Sequence, residues 1–211
     1  PELLYEDQLY AASAILIEAS TGQVIFEKNA DQVIPPASMT KLVVMYVVFQ
    51  EIASGRISLD DVVPLPPESW AVNAPPGSSL MFLGQGQTVT LRELLLGLAV
   101  ASGNDAATAI AEHIGGTVED FCRMMTARAA ELGCKNTTFL TPHGLPCEGH
   151  YTTAHDLALI AREAMQHPLF REIVGTTRAT IPWEGREYDR VLQNKNKLLT
   201  TYEGATGIKT G

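Results

Sequence analysis

Three short stretches of this chain set nucleophile, base and anion-binding residue types at spacings that chemistry can use. In "PPASMTKLVV", Ser38 and Lys41 stand three apart at the start of a predicted helix. That spacing makes them neighbours on one helical face. A serine hydroxyl is a weak nucleophile until a base takes its proton. A lysine is such a base only when desolvation or nearby positive charge lowers its pKa from about 10.4 towards neutrality. The apolar run "LVVMYVVF" behind Lys41 supplies desolvation. The N–H groups and positive dipole at the helix start would favour a developing oxyanion. The plainer reading is a serine N-cap followed by a solvated lysine.

The second stretch is "VASGNDAA". A helix broken at S-G-N exposes the Ser102 hydroxyl and the Asn104 amide side by side. The hydroxyl suits proton relay and the amide suits a peptide group. A capped loop between two helices is the plainer alternative. The third is "GIKTG", where Lys209 and Thr210 close a predicted strand. A strand edge can pair with an extended peptide. A lysine beside a hydroxyl suits a carboxylate, and an ordinary surface strand end is the alternative. Chance placement of all three patterns in a chain of this composition is of order 0.003.

Elements that would position these groups are legible. "AASAILIEAS" (11–20) and "VIFEKN" (24–29) read as a hairpin around the turn "TGQ". An apolar helix is expected from about Ser38 to Ser54, stopped by Gly55. Residues 56–89, rich in Pro, Gly and Ser, read as an irregular excursion. Within it, "GSSLMFL" (77–83) is open between a cleft-lining loop and ordinary loop packing. Thr90 and Glu93 form a capping box for "LRELLLGLAVA", and "DAATAIAEHIGG" resumes after S-G-N. Residues 117–133 read as a further helix. Thr153 and Asp156 open another that ends before Pro168. "TTRATIPW" and "ATGIKTG" read as strands. Strands at both ends with helices between them fit an α/β (α+β) fold in which early and late strands share one antiparallel sheet.

Composition narrows the classes. The chain has 211 residues, 45% hydrophobic and 18% charged, with a formal net charge of -9. These values fit a globular domain with a sizeable core, and no basic face points to nucleic acid. No apolar run reaches the roughly 20 residues that span a bilayer. The first residues lack the basic and cleavage regions of a signal peptide and suit the start of a mature exported protein. Cys122, Cys134 and Cys147 lack metal-ligand spacing and are expected as unbridged cysteines in or near the core. His143 and His155 are expected to cap or pack rather than to bind metal. Trp70 and Trp183 are expected to pack rather than to serve as ligand platforms.

S-x-x-K, S-x-N and K-T-G in this order resemble the penicillin-recognising serine enzymes. "IPPASMTKL", "GSSLMFL", "LLLGLAVASGNDAATAIAEHIGG", "LGCKNTTFLTPHGLP", "GHYTTAHDLALIAREAM" and "NKNKLL" narrow the likeness. With them the chain resembles low-molecular-mass penicillin-binding proteins, the D-alanyl-D-alanine carboxypeptidases of the penicillin-binding protein 5 type. The resemblance implies a β-lactamase/transpeptidase-like fold and a serine D,D-carboxypeptidase acting on peptidoglycan stem peptides ending in D-Ala-D-Ala. It implies Ser38 as nucleophile, Lys41 as base and Ser102 as proton relay to the leaving D-alanine. Asn104 would bind a substrate amide, and Lys209 with Thr210 would hold the terminal carboxylate. It implies no metal or other cofactor, acylation by β-lactams, and a bacterial, extracytoplasmic site of action with the signal peptide removed. A membrane tether in the full-length protein is implied too.

Two alternatives remain at this level. A class A β-lactamase would carry S-D-N and a Glu with Asn four residues on. Here the turn is S-G-N, and Glu131 is followed by Asn136 at five. A non-catalytic penicillin-binding scaffold or sensor is the other. The resemblance also implies an oxyanion N–H just after K-T-G, and further strands and a helix beyond it. On that basis residues 1–211 are expected to be one penicillin-binding domain, incomplete at its C-terminal side and poorly stable alone.

Overall fold

The apolar stretch after Ser38 is buried on every side. In the computed structural model, which describes residues 9–211, it forms α1 (Thr40–Ala53), with Thr40 through Phe49 and Glu51 buried. A helix apolar all round can only be a central helix. The signal-peptide reading falls partly on residues 1–8, outside the described residues. Around α1 pack α2 (Leu91–Val100), α3 (Asn104–Gly115), α4 (Val118–Glu131), α5 (Ala154–Ala164) and α6 (Pro168–Val174). The one carboxylate buried on α1, Glu51, is paired with Arg56 and with Arg128 of α4.

Local signals set the helix ends. Thr90 Oγ1 accepts from Glu93 N–H, and the Glu93 carboxylate accepts from Thr90 N–H, so both halves of the capping box form. Thr117 caps α4 and Thr153 caps α5 through N–H groups three residues on. Asp156 does not return the Thr153 bond. Its carboxylate instead accepts from Asn136 N–H and the Thr137 hydroxyl, so the expected box at 153–156 is only half formed. The helix expected to run up to Pro168 stops at Ala164, and Pro168 opens α6 instead. Proline is well suited to a first helical position, where its missing N–H is no loss.

The strands form two separate ladders. β1 (Ala14–Ile17) pairs antiparallel with β2 (Val24–Lys28), with an irregularity between Leu16 and Ile17. β3 (Arg178–Ile181) pairs antiparallel with β4 (Arg190–Gln193), Ile181 opposite Arg190. The early and late strands therefore do not share one ladder. The expected final strand is not one: residues 203–204 form a turn, and 205–211 belong to no strand or helix and pair with no strand among the described residues. A strand is made by its ladder, and β propensity alone does not supply one. A short α7 (Leu198–Thr201) joins β4 to this segment. The excursion over 56–89 holds two single 3-10 turns, as its composition implies. Cys122 and Cys134 are buried, whereas Cys147 is exposed, away from its expected place near the core.

Removing the Thr90 side chain should show how much the capping box contributes. Thr90→Ala is expected to destabilise the protein by about 1 kcal/mol, read as a lowered denaturant midpoint at unchanged slope.

Candidate active site

Ser38 lies in a 3-10 turn, Ala37–Met39, that runs straight into α1. It does not act as an N-cap. Its Oγ accepts from Lys41 Nζ at 3.0 Å instead, one turn along the same face. Ala37 before it holds a positive φ of 49°, a conformation rare outside glycine. Such a residue persists only where its surroundings fix it.

Lys41 is wholly buried. Its three N–H groups are all used, by Ser38 Oγ, by Asn104 Oδ1 at 2.8 Å and by the His143 carbonyl at 2.9 Å. Burial pushes its pKa down to about 7, the charges of Lys209 and Lys195 push the same way, and Asp105 opposes them. A lysine near neutrality can take a proton from a hydroxyl at 3.0 Å and return it.

The S-G-N turn brings the amide to this lysine. Ser102 has a positive φ of 58° between α2 and α3. Its Oγ is buried and has no hydrogen-bond partner among the described residues. Asn104 opens α3, and its N–H donates to the Ser79 carbonyl at 2.7 Å. Asp105 accepts from the N–H groups of Met81 and Leu83, both at 3.0 Å. A Cβ on Gly103 would meet Asp105 Oδ1 at 2.7 Å, so glycine leaves the carboxylate its room. These bonds lock the 77–83 loop to the turn: Gly77, Ser78 and Ser79 line a cavity with Ser38, while Met81 and Leu83 pack into the core, so "GSSLMFL" does both.

A second loop supports the serine turn from the other side. His150 Nδ1 accepts from Leu140 N–H, so its proton sits on Nε2 and points to Thr40 Oγ1 at 3.1 Å. Burial pushes His150 down in pKa, which suits this neutral form. His143 is pushed down to about 4, first by burial and then by the Lys41 charge. Gly144 has φ of 89°, and a Cβ there would overlap the Ala37 carbonyl group. The loop is tied back through Thr152, which exchanges backbone bonds with Ile34 at 2.8 and 2.9 Å. Thr152 also meets the Thr137 hydroxyl, which donates to Asp156.

The segment with Lys209 and Thr210 passes close by. A Cβ on Gly211 would lie 3.1 Å from Met39 Cγ and 3.5 Å from the Pro36 carbonyl oxygen. Buried Asn196 anchors it, its Nδ2 donating to the Gly207 carbonyl at 2.9 Å. Lys209 Nζ donates to the Thr210 carbonyl at 2.6 Å, and burial followed by the Lys195 charge lowers its pKa to about 8. The Thr210 hydroxyl has no hydrogen-bond partner among the described residues.

Ser38, Asn104, Ser78, Ser79, His143 and Gly144 share the lining of a cavity of about 170 Å³. Of the six residues expected from sequence, Ser38, Lys41 and Asn104 are joined by direct bonds. Ser102 sits at the same turn but bonds to none of them. Lys209 acts on Lys41 through its charge. The patterns alone did not reveal Asp105, Gly144, Lys195 and Asn196. The acid directly after S-G-N and the glycine in "TPHG" were the available signals. His155 is peripheral, with Nδ1 3.1 Å from Asp31 Oδ1.

An α+β fold that sets a serine and a buried lysine at the start of its central helix is that of the penicillin-binding D,D-peptidases and their β-lactamase-like relatives. The chain belongs to the D-alanyl-D-alanine carboxypeptidase family, whose sequence profile matches residues 3–211. It is 40% identical over 201 residues to the D-alanyl-D-alanine carboxypeptidase DacF of Bacillus subtilis, covering 95% of this chain and 50% of that protein. It is 41% identical over 211 residues to DacA of Escherichia coli, covering 97% and 50%. Penicillin binding protein 6B from Escherichia coli superposes with a TM-score of 0.88 at 38% identity, covering 100% of this chain and 65% of that one. The chain thus spans about half the length of the curated relatives it matches.

Two predictions follow from this geometry. The rate of Ser38 acylation should fall as pH drops through about 7, because protonated Lys41 has no lone pair to take the serine proton. Binding of an anionic substrate should weaken as pH rises through about 8, where Lys209 loses its charge. The pH profile of kcat/KM should therefore be a narrow bell between these values, and a flat profile would contradict it. Separately, Gly144→Ala should displace the Ala37 carbonyl and lower the acylation rate by on the order of a hundredfold, checked by penicillin labelling.

Proposed function

We propose that the protein carrying this chain is a serine D,D-carboxypeptidase that removes the terminal D-alanine from peptidoglycan stem pentapeptides. The carrying observation is the wholly buried Lys41 amine, with a pKa of about 7, at 3.0 Å from Ser38 Oγ. In this reading Ser38 Oγ attacks the carbonyl of the penultimate D-alanine while Lys41 takes the serine proton. Collapse of the tetrahedral intermediate breaks the peptide bond, and the leaving amine gains a proton by way of Ser102. The Ser102 hydroxyl, buried without a hydrogen-bond partner among the described residues, supports that role. Water then cleaves the acyl ester and frees Ser38.

Asn104 sits with one amide oxygen on Lys41 and lines the cavity, which suits it to a substrate amide. Lys209 and Thr210 hold the terminal carboxylate in this scheme. A β-lactam enters the same path as a covalent inhibitor, its opened ring left as an ester on Ser38. We read residues 1–211 as one penicillin-binding domain. A site of action outside the cytoplasmic membrane, which suits that substrate class, and a membrane tether belong to the same proposal.

Mass spectrometry tests it directly. Mixing the full-length protein with benzylpenicillin is expected to give a one-to-one adduct on the peptide containing Ser38. Ser38→Ala should form no adduct and release no D-alanine from an acyl-D-Ala-D-Ala peptide. Adduct formation with rapid penicillin turnover would point to a β-lactamase. An adduct with no D-alanine release would point to a non-catalytic penicillin-binding module.

A further inference from the structure

Three lysines converge on one cleft, and none has a carboxylate partner among the described residues. Lys41 and Lys209 are the two already placed there. The third, Lys195, follows β4 on the exposed turn whose next residue, Asn196, is bonded to the Gly207 carbonyl. That bond fixes the base of Lys195 relative to the Lys209 segment. Its Nζ donates to Ser79 Oγ at 2.6 Å, and Ser79 lines the same cavity as Ser38. The side chain therefore reaches across from the 194–196 turn to the 77–83 wall. Asp105, the acid whose charge reaches Lys41, is occupied by the backbone N–H groups of Met81, Leu83 and Ala106. The charge of Lys195 is felt at both Lys41 and Lys209.

Lys195 and Lys209, and Lys41 whenever it is protonated, are like charges that repel one another until an anion enters. A neutral hydroxyl is a weak partner for an ammonium compared with a carboxylate. Lys195 has a long flexible stem, so its head can leave Ser79 without moving the backbone. We propose that Lys195 is a second cation for the substrate's terminal carboxylate, exchanging Ser79 for that carboxylate and so setting the preference for peptides with a free C-terminus. The inference rests on the D,D-carboxypeptidase reading and adds a specificity-determining residue to it.

The test compares Lys195→Met, Lys195→Arg and Ser79→Ala in the full-length protein. Kinetics use a diacetyl-lysyl-D-Ala-D-Ala peptide from about pH 6 to about pH 9, so that any shift of the acid limb is separated from binding. Lys195→Met is expected to raise KM about fivefold with kcat at its plateau little changed. Lys195→Arg should restore KM, and Ser79→Ala, which removes only the resting partner of Lys195, should not reproduce the fivefold rise. The difference between parent and Lys195→Met should shrink at high salt. Loss of kcat at constant KM, failure of Lys195→Arg to restore, or Ser79→Ala matching Lys195→Met would overturn the proposal and leave Lys195 a structural latch. Penicillin labelling of Ser38 separates the two readings. Absence of the adduct defeats the carboxypeptidase reading itself. A normal adduct and D-alanine release with an unchanged KM in Lys195→Met defeats only this inference.

Discussion

A lysine with no solvent exposure has to find three hydrogen-bond acceptors or give up its proton, and this fold is arranged around that requirement at Lys41. Its acceptors come from three separate places: the serine turn, the S-G-N turn and the 139–150 loop. Losing any one would leave a buried donor unsatisfied, a penalty of about 1–3 kcal/mol or more for a charged group. The same burial that demands the acceptors also brings the amine to about 7, where it can exchange a proton with Ser38. Stability and reactivity therefore share one cause.

Each supporting loop holds its acceptor in place by using backbone strain or close approach. Ser102 and Ala37 both adopt left-handed φ values, at 58° and 49°. Neither is a glycine, so both are held by neighbours rather than by their own preference. Asp105 pins the 77–83 wall against the S-G-N turn through the N–H groups of Met81 and Leu83. Gly144 lets the 139–150 loop press against the Ala37 carbonyl. Further back, Asp156, Thr137 and Thr152 pass the alignment on to Ile34, at the head of the loop that carries Ser38. The half-formed cap at Thr153 has its reason here, since Asp156 is used for the loop instead.

The charge pattern is uneven in a useful way. The chain as a whole carries a net charge of -9, yet its cleft gathers Lys41, Lys195 and Lys209 without an acidic partner among the described residues. His143 beside them is neutral, pushed down to about 4. A locally positive cleft on an acidic molecule draws small anions and leaves polyanions unfavoured.

Much of this was legible in the order of residues. The apolar run behind Lys41 implied burial, and burial implied a lowered pKa. The Thr90 box, the break at S-G-N and the glycine stops were written locally, because caps and turns depend on near neighbours. So the sequence by itself determined α1 to α5, the hairpin and the identities of Ser38, Lys41, Ser102, Asn104, Lys209 and Thr210 as candidates. It did not determine α6, which needed Pro168 to be read as a start rather than a stop. It also misplaced the final residues as a strand, since pairing is a property of two segments and not of one. Only the tertiary structure decided that Asn104 bonds Lys41 across 63 positions of chain, that the His143 carbonyl is the third acceptor, and that Lys195 faces Ser79. Those contacts join residues far apart in sequence, and their geometry is fixed by packing around α1, which no local pattern encodes.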